Sequence, residues 1–168
     1  MGVGRDDGDK AGETMAIDYR RDRFELADSG TLWLSETPET PSRGWDGACN
    51  RTVTWVELLD RTSGKTFFYF NTHLDHQGKQ AREEGIKLLV ETVGTIAGKA
   101  PAILGGDFNS LTDSPIFRPL TKCMKSAREK APVSDNEGTF NGFGSAPDTI
   151  VIDHIYFRGK LRCQRFET

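Results

Sequence analysis

Between Thr52 and Leu104 the hydrophobic period of the chain changes twice, and that stretch decides which folds are open to it. Thr52-Val53-Thr54-Trp55-Val56-Glu57-Leu58 alternates, Arg61-Thr62-Ser63-Gly64-Lys65 carries turn residues, and Thr66-Phe67-Phe68-Tyr69-Phe70-Asn71-Thr72 returns. Strand-like runs on both sides of a Gly-containing turn predict an antiparallel hairpin. From Lys79 to Ala97 the apolar residues Ile86, Leu89 or Val90, Val93 and Ile96 or Ala97 fall three or four apart, which predicts an amphipathic helix stopped by Gly98. Ala102-Ile103-Leu104 is then a short, wholly apolar strand. Hairpin, long helix and further strand in that order point to a mixed α/β sandwich rather than a helical bundle.

The flanks extend the pattern. Residues 4–14 are rich in Gly and Asp and read as an exposed loop. Ala16–Tyr19, Phe24–Leu26 and Thr31–Leu34 have strand composition, with Asp28-Ser29-Gly30 as a turn. Residues 35–50 hold Pro38, Pro41, Gly44 and Gly47 and form a long loop, a kind that is often functional in compact domains. Ser114-Pro115 has the pattern that starts a helix, over 115–121. Residues 131–149 are turn-rich, Ile150–Phe157 is a strand, and Arg158-Gly159-Lys160 turns into Leu161-Arg162-Cys163.

A length of 168 residues fits one domain, and 36% hydrophobic with 28% charged residues excludes a disordered composition. The net charge is -3, so the basic excess of a protein that grips long nucleic acid without sequence preference is missing. Arg20, Arg21 and Arg23, and separately Lys122, Lys125, Arg128 and Lys130, read as solvated faces. Cys49, Cys123 and Cys163 are too few and too scattered for a disulfide framework or a Cys-x-x-Cys metal site. No stretch approaches a membrane span, and the first residues are not a signal peptide.

Three polar clusters lie at or within apolar strands: Asn71-Thr72-His73-Leu74-Asp75-His76, Gly106-Asp107-Phe108-Asn109, and Asp153-His154. Hydrolysis of a phosphate ester needs an activated water, counter-charge for the phosphoryl oxygens and help for the leaving oxygen. Carboxylates supply a base or a cation ligand, and Asn, His and Arg supply donors to phosphate. In an extended segment Asp107 and Asn109 would share one side while Phe108 turns into the core. Each cluster also has a structural reading: a turn at Asp107–Asn109, a loop cap at His73, a core position for His154. Asp153 within an apolar strand demands a specific partner, because a buried carboxylate is costly alone.

Together these segments resemble the endonuclease/exonuclease/phosphatase superfamily, with the fold of pancreatic deoxyribonuclease. Asn71–His76 is similar to that family's Thr-x-His-Leu segment, Gly105-Gly106-Asp107-Phe108-Asn109 to its Gly-Asp-Phe-Asn motif, and Ile152-Asp153-His154-Ile155-Tyr156 to its Ile-Asp-Tyr-Ile segment. Asn50-Arg51 and Gly138-Thr139-Phe140-Asn141-Gly142-Phe143 also fit. The resemblance implies a four-layer α/β sandwich of two stacked, mostly antiparallel sheets flanked by helices. It implies hydrolysis of a phosphomonoester or phosphodiester by activated water, with Mg²⁺ or Mn²⁺ as cofactor. The substrate it implies is a phosphorylated small molecule or nucleic acid. It implies that His73 contacts or protonates the scissile phosphate, Asp107 orients or deprotonates the water, Asn109 binds the same phosphate, and Arg51 adds a phosphate contact. Asp153 would orient a catalytic His from further along the chain.

Two departures set the remaining expectations. The family's upstream Asn and metal-binding Glu are not identifiable, so the metal ligands stay unassigned. Its closing Ser-Asp-His motif is not found either, and Asp153-His154 is not that motif, because Ile155, Tyr156 and Phe157 continue a strand. Residues 1–168 are therefore expected to be the central portion of one such domain, with little hydrolysis of their own. The alternatives are a non-catalytic module that binds phosphorylated ligands through Arg51, His73 and Asn109, and an inactive fragment.

Overall fold

The computed structural model describes residues 1–168 apart from 136, 146 and 148, so those points of the turn-rich 131–149 segment lie outside the described residues. The strands are β1 (Phe24–Trp33), β2 (Thr52–Asp60), β3 (Lys65–His73), β4 (Ala102–Asp107), β5 (Lys125–Ser126), β6 (Val133–Ser134), β7 (Asp153–Arg158) and β8 (Arg165–Phe166). The helices are α1 (Lys79–Ala97), α2 (Arg118–Thr121), which follows a 3₁₀ turn at Pro115–Phe117, and α3 (Ala127–Lys130).

Six strands form one sheet in the order β1-β2-β3-β4-β7-β5, and β6 pairs with β8 in a second, small one. All neighbours in the large sheet are antiparallel except β3 and β4. A parallel pair needs a long crossover, and α1 supplies it. The mixed α/β class and the mostly antiparallel pairing expected from the sequence are what forms. No helix among the described residues is long and apolar enough to cross a membrane.

Alternation along the strands gives the large sheet two different faces. Phe68 and Phe70 of β3, Leu104 of β4 and Tyr156 of β7 pack with Ile86, Leu89 and Val93 of α1 in the main core. Burying one such side chain fully contributes about 1.5–3 kcal/mol, so this seam fixes the register of the strands that meet there. On the opposite face Val56, Leu58, Phe67 and Tyr69 pack with Ile17 and Tyr19.

Three local readings change. Phe24–Trp33 is one strand with a bulge between Leu26 and Asp28, not two strands around a turn. Gly30 continues that strand because a Cβ there would stand 2.8 Å from Trp55 Nε1; it serves a close approach rather than a reversal. Ala16–Tyr19 joins no ladder; Ile17 N–H bonds to Met1 O, Asn71 Nδ2 donates to Ala16 O, and Ile17 is buried on the sheet. After Gly159 the chain does not return along β7, and β8 pairs with β6 instead.

Candidate active site

β3, β4 and β7 bring their polar ends into one row. His73 is the register partner of Asp107, and Asp107 that of Asp153. Register partners share a face, so an imidazole and two carboxylates stand side by side, on the face away from α1. His73 Nε2 lies 3.4 Å from Asp107 Oδ2, and Nδ1 lies 3.1 Å from Glu13 Oε1. Glu13 also pairs with Arg5 and lies 3.7 Å from Arg51 Nη1. Burial pushes the Glu13 carboxyl up, but the His73, Arg5 and Arg51 charges prevail and hold it below the usual range.

The backbone that carries the row is built for close approach. Gly106 sits at φ +143°, and a Cβ on it would meet Thr72 O at 1.9 Å, so β4 can lie against β3 here only with glycine. Beyond Phe108, which is fully buried, Asn109 turns left-handed at φ +45°. The segment is therefore not extended, and Asp107 and Asn109 are not on one side through alternation. The Asn109 N–H folds back onto Asp107 Oδ1 at 2.7 Å, and its Nδ2 donates to Leu74 O at 2.9 Å. Asn tolerates this conformation because its short polar side chain bonds locally. Burial pushes the Asp107 carboxyl up, aided by the Asp153 charge and opposed by the Asn109 N–H, His73 and Arg51.

Arg51 enters from β2's end of the site and is nearly buried. Its Nε lies 3.5 Å from Asp75 Oδ2 and its Nη2 lies 2.9 Å from His76 Nδ1. Asp75 is buried in a shell of backbone donors: Ala48 and Cys49 N–H on Oδ2, Gln77 and Gly78 N–H on Oδ1. Burial raises its carboxyl and those four donors lower it further, to well below the ordinary carboxylate range. Two of the donors come from the long 35–50 loop, whose Asp46 also accepts from Gln80 and Ala81 N–H at the start of α1.

The model of the endonuclease/exonuclease/phosphatase family matches residues 18–168. The chain belongs to that family. The mannosyl-6-phosphatase of Bacteroides thetaiotaomicron is 37% identical and superposes with a TM-score of 0.92, over 98% of this chain and 64% of that one. An endonuclease/exonuclease/phosphatase protein of Bacteroides vulgatus is 37% identical with a TM-score of 0.93, over 99% of this chain and 67% of that one. An uncharacterized protein of Acanthamoeba polyphaga mimivirus is 29% identical over 157 residues, 86% of this chain and 58% of the viral protein. The chain thus spans under two thirds of two of these relatives.

In this family member the expected residues divide. His73, Asp107 and Asp153 share the row, Asn109 hangs from Asp107, and Arg51 reaches the same place through Glu13. His154 points to the other face as its alternation requires: it is buried, Nε2 meets Ser110 O at 2.9 Å, and its ring lies 4.8 Å from that of Phe117. Among the described residues Asp153 has no side-chain partner of the kind a buried carboxylate demands, and it is half-buried rather than buried. Its N–H bonds to Thr139 Oγ1, but among the described residues its carboxylate accepts no hydrogen bond and forms no ion pair, and the three histidines are engaged elsewhere.

Glu13, Asp75 and His76 were not foreseen as site residues. Glu13 sits in a Gly- and Asp-rich segment with no period to mark it, and only the fold brings it beside His73, 60 positions away. Asp75 carried a signal, a charge directly after the buried Leu74 in a segment already singled out.

The family resemblance implies a divalent cation, and the donor chemistry of the row fits one. Asp107 and Asp153 are carboxylates placed directly opposite each other on paired strands, which is unfavourable without counter-charge. Their hard oxygens suit Mg²⁺ or Mn²⁺, which take one or two carboxylates and complete their shell with water and phosphate oxygens. The mixed group Cys49, Asp75 and His76, with ligand atoms within 4.8 Å of one another, is a poorer fit because the Arg51 guanidinium already occupies it.

Proposed function

We propose that the domain to which residues 1–168 belong is a divalent-metal-dependent phosphoesterase, with its reaction centred on the His73–Asp107–Asp153 row. The observation that carries this reading is the placement of one imidazole against a carboxylate on each side, with a buried arginine beside it. Asp107 takes the role of orienting or deprotonating the attacking water; a raised carboxyl is a better base than an ordinary one. His73, aligned by Glu13, contacts or protonates the phosphate, and Asn109 and Arg51 donate to its oxygens. Asp107 and Asp153 would hold Mg²⁺ or Mn²⁺, which when bound neutralises charge on the phosphoryl group. Asp153 would also orient a further imidazole, which the three histidines described above do not supply.

The 37% identity to a mannosyl-6-phosphatase makes a hexose 6-phosphate the first substrate to try, and the acidic balance of the chain agrees with a small substrate. The test is inorganic phosphate release from mannose 6-phosphate with Mg²⁺, beside cleavage of single-stranded DNA, using the chain in its flanking reading frame. Release from the sugar phosphate without DNA cleavage supports the reading; DNA cleavage alone moves the substrate to nucleic acid, and neither reaction overturns catalysis.

A non-catalytic phosphate-binding module is the second reading, favoured by the lack, among the described residues, of an imidazole beside the Asp153 carboxylate. Its signature is phosphate-dependent shifts of the Arg51, His73 and Asn109 resonances in a protein with no hydrolysis.

A further inference from the structure

Arg51 is 6% exposed, yet its Nη1 has no hydrogen-bond acceptor among the described residues. The other two nitrogens are engaged: Nε faces Asp75 Oδ2 and Nη2 faces His76 Nδ1. Nη1 is the nitrogen nearest Glu13, at 3.7 Å, on the side where Glu13 holds His73. A buried guanidinium held at two nitrogens, and at the third facing only the Glu13 carboxylate at 3.7 Å without a hydrogen bond, has a donor left for an anion that enters beside Glu13.

We propose that His76 is the positioning residue of Arg51: its neutral ring, accepting at Nδ1, sets the direction in which Nη1 meets a phosphoryl oxygen. The proposal rests on the phosphate-binding reading of the site. An arginine has no acceptor, so the 2.9 Å contact is Nη2–H donating to Nδ1, and the ring proton sits on Nε2. The amide atom 3.3 Å from the ring Nε2 is Gln77 Nε2, and because a ring N–H cannot bond to an NH₂ group, this tautomer requires the Gln77 amide turned so that its oxygen accepts. Asp75 cannot do this alone. Its two oxygens already serve four backbone N–H groups, and it touches Arg51 only at Nε, about which the guanidinium can still swing. His76 is exposed and adds nothing to the core, so its polar contact is what it contributes.

The test titrates inorganic phosphate into the chain and its His76→Leu, His76→Gln and His76→Asn variants, with thermal unfolding to compare stability. Asn places an oxygen where Nδ1 stood, whereas Gln places its amide nearer the Nε2 position. The expected result is about tenfold weaker phosphate binding for Leu and Gln, on the scale of one misdirected charged hydrogen bond. Asn should stay within about threefold of the parent chain. In the catalytically competent domain the same variants should raise KM more than they lower kcat. Equal phosphate affinity in Leu and the parent overturns the proposal and leaves the phosphate site standing; so does Asn as weak as Leu. A parent chain that binds no phosphate removes both. Because His76 is exposed, the Asn and Gln pair remains comparable even if Leu lowers stability.

Discussion

Asp75→Asn keeps the size of a buried side chain while removing its charge and turning one acceptor oxygen into a donor. In the parent chain each carboxylate oxygen serves two backbone N–H groups, and Oδ2 also faces Arg51 Nε. An asparagine has one oxygen, so in either orientation its NH₂ group confronts two N–H donors left without acceptors. Arg51 is then a nearly buried cation without its closest counter-charge. Breaking a buried pair from one side costs about 3–5 kcal/mol, and the orphaned donors belong to the same loss rather than adding to it. With a urea m-value of about 2 kcal/mol/M, the unfolding midpoint should fall by roughly 2 M.

The pH dependence of that loss follows from the direction of the Asp75 shift. Its carboxyl is held below the ordinary range in the folded chain, so its stabilisation is full above the unfolded value of about 3.9 and declines as pH falls toward the folded one. The stability gap between parent and Asp75→Asn should be constant from neutral pH to about pH 5 and narrow below about pH 4. Urea unfolding followed by tryptophan fluorescence at several pH values measures both. A gap under about 1 kcal/mol at pH 7 would show that the backbone shell does not depend on the charge.

Gly106→Ala should destabilise the fold by about 3 kcal/mol or more, visible as a lower melting temperature, because its methyl would collide with Thr72 O on the neighbouring strand. Glu13→Gln should lower kcat about a hundredfold while leaving the melting temperature close to the parent's, since Glu13 aligns His73 from a partly exposed position. Chelation of divalent ions should abolish hydrolysis by the competent domain, and Mg²⁺ or Mn²⁺ should restore it, as the facing Asp107 and Asp153 carboxylates require counter-charge.

The frame was legible where periodicity is strong. The alternation through Thr52–Leu58 and Thr66–Thr72 and the 3.6-residue period of Lys79–Ala97 correspond to β2, β3 and α1. Asp28-Ser29-Gly30 misled because Gly marks both turns and close approaches, and only the Trp55 indole distinguishes them here. Ala16–Tyr19 has strand composition because it lies on an apolar face, yet pairing is a property of the neighbour, not of the segment. The row residues were visible through their motifs. Glu13 and the Asp75–His76 cradle depend on contacts 60 and about 25 positions apart, which no local pattern encodes. The left-handed Asn109 was hidden for a related reason: its side-chain bond to Leu74 O comes from another strand's end.

The most direct test of the central claim is the initial rate of hydrolysis of p-nitrophenyl phosphate and bis-p-nitrophenyl phosphate, a monoester and a diester, with and without Mg²⁺. It compares the protein that contains residues 1–168 with its Asp107→Ala variant. Mg²⁺-dependent turnover by the parent protein, and none above background after Asp107→Ala, is expected. Undiminished turnover in the Asp107→Ala variant would contradict a reaction centred on this row.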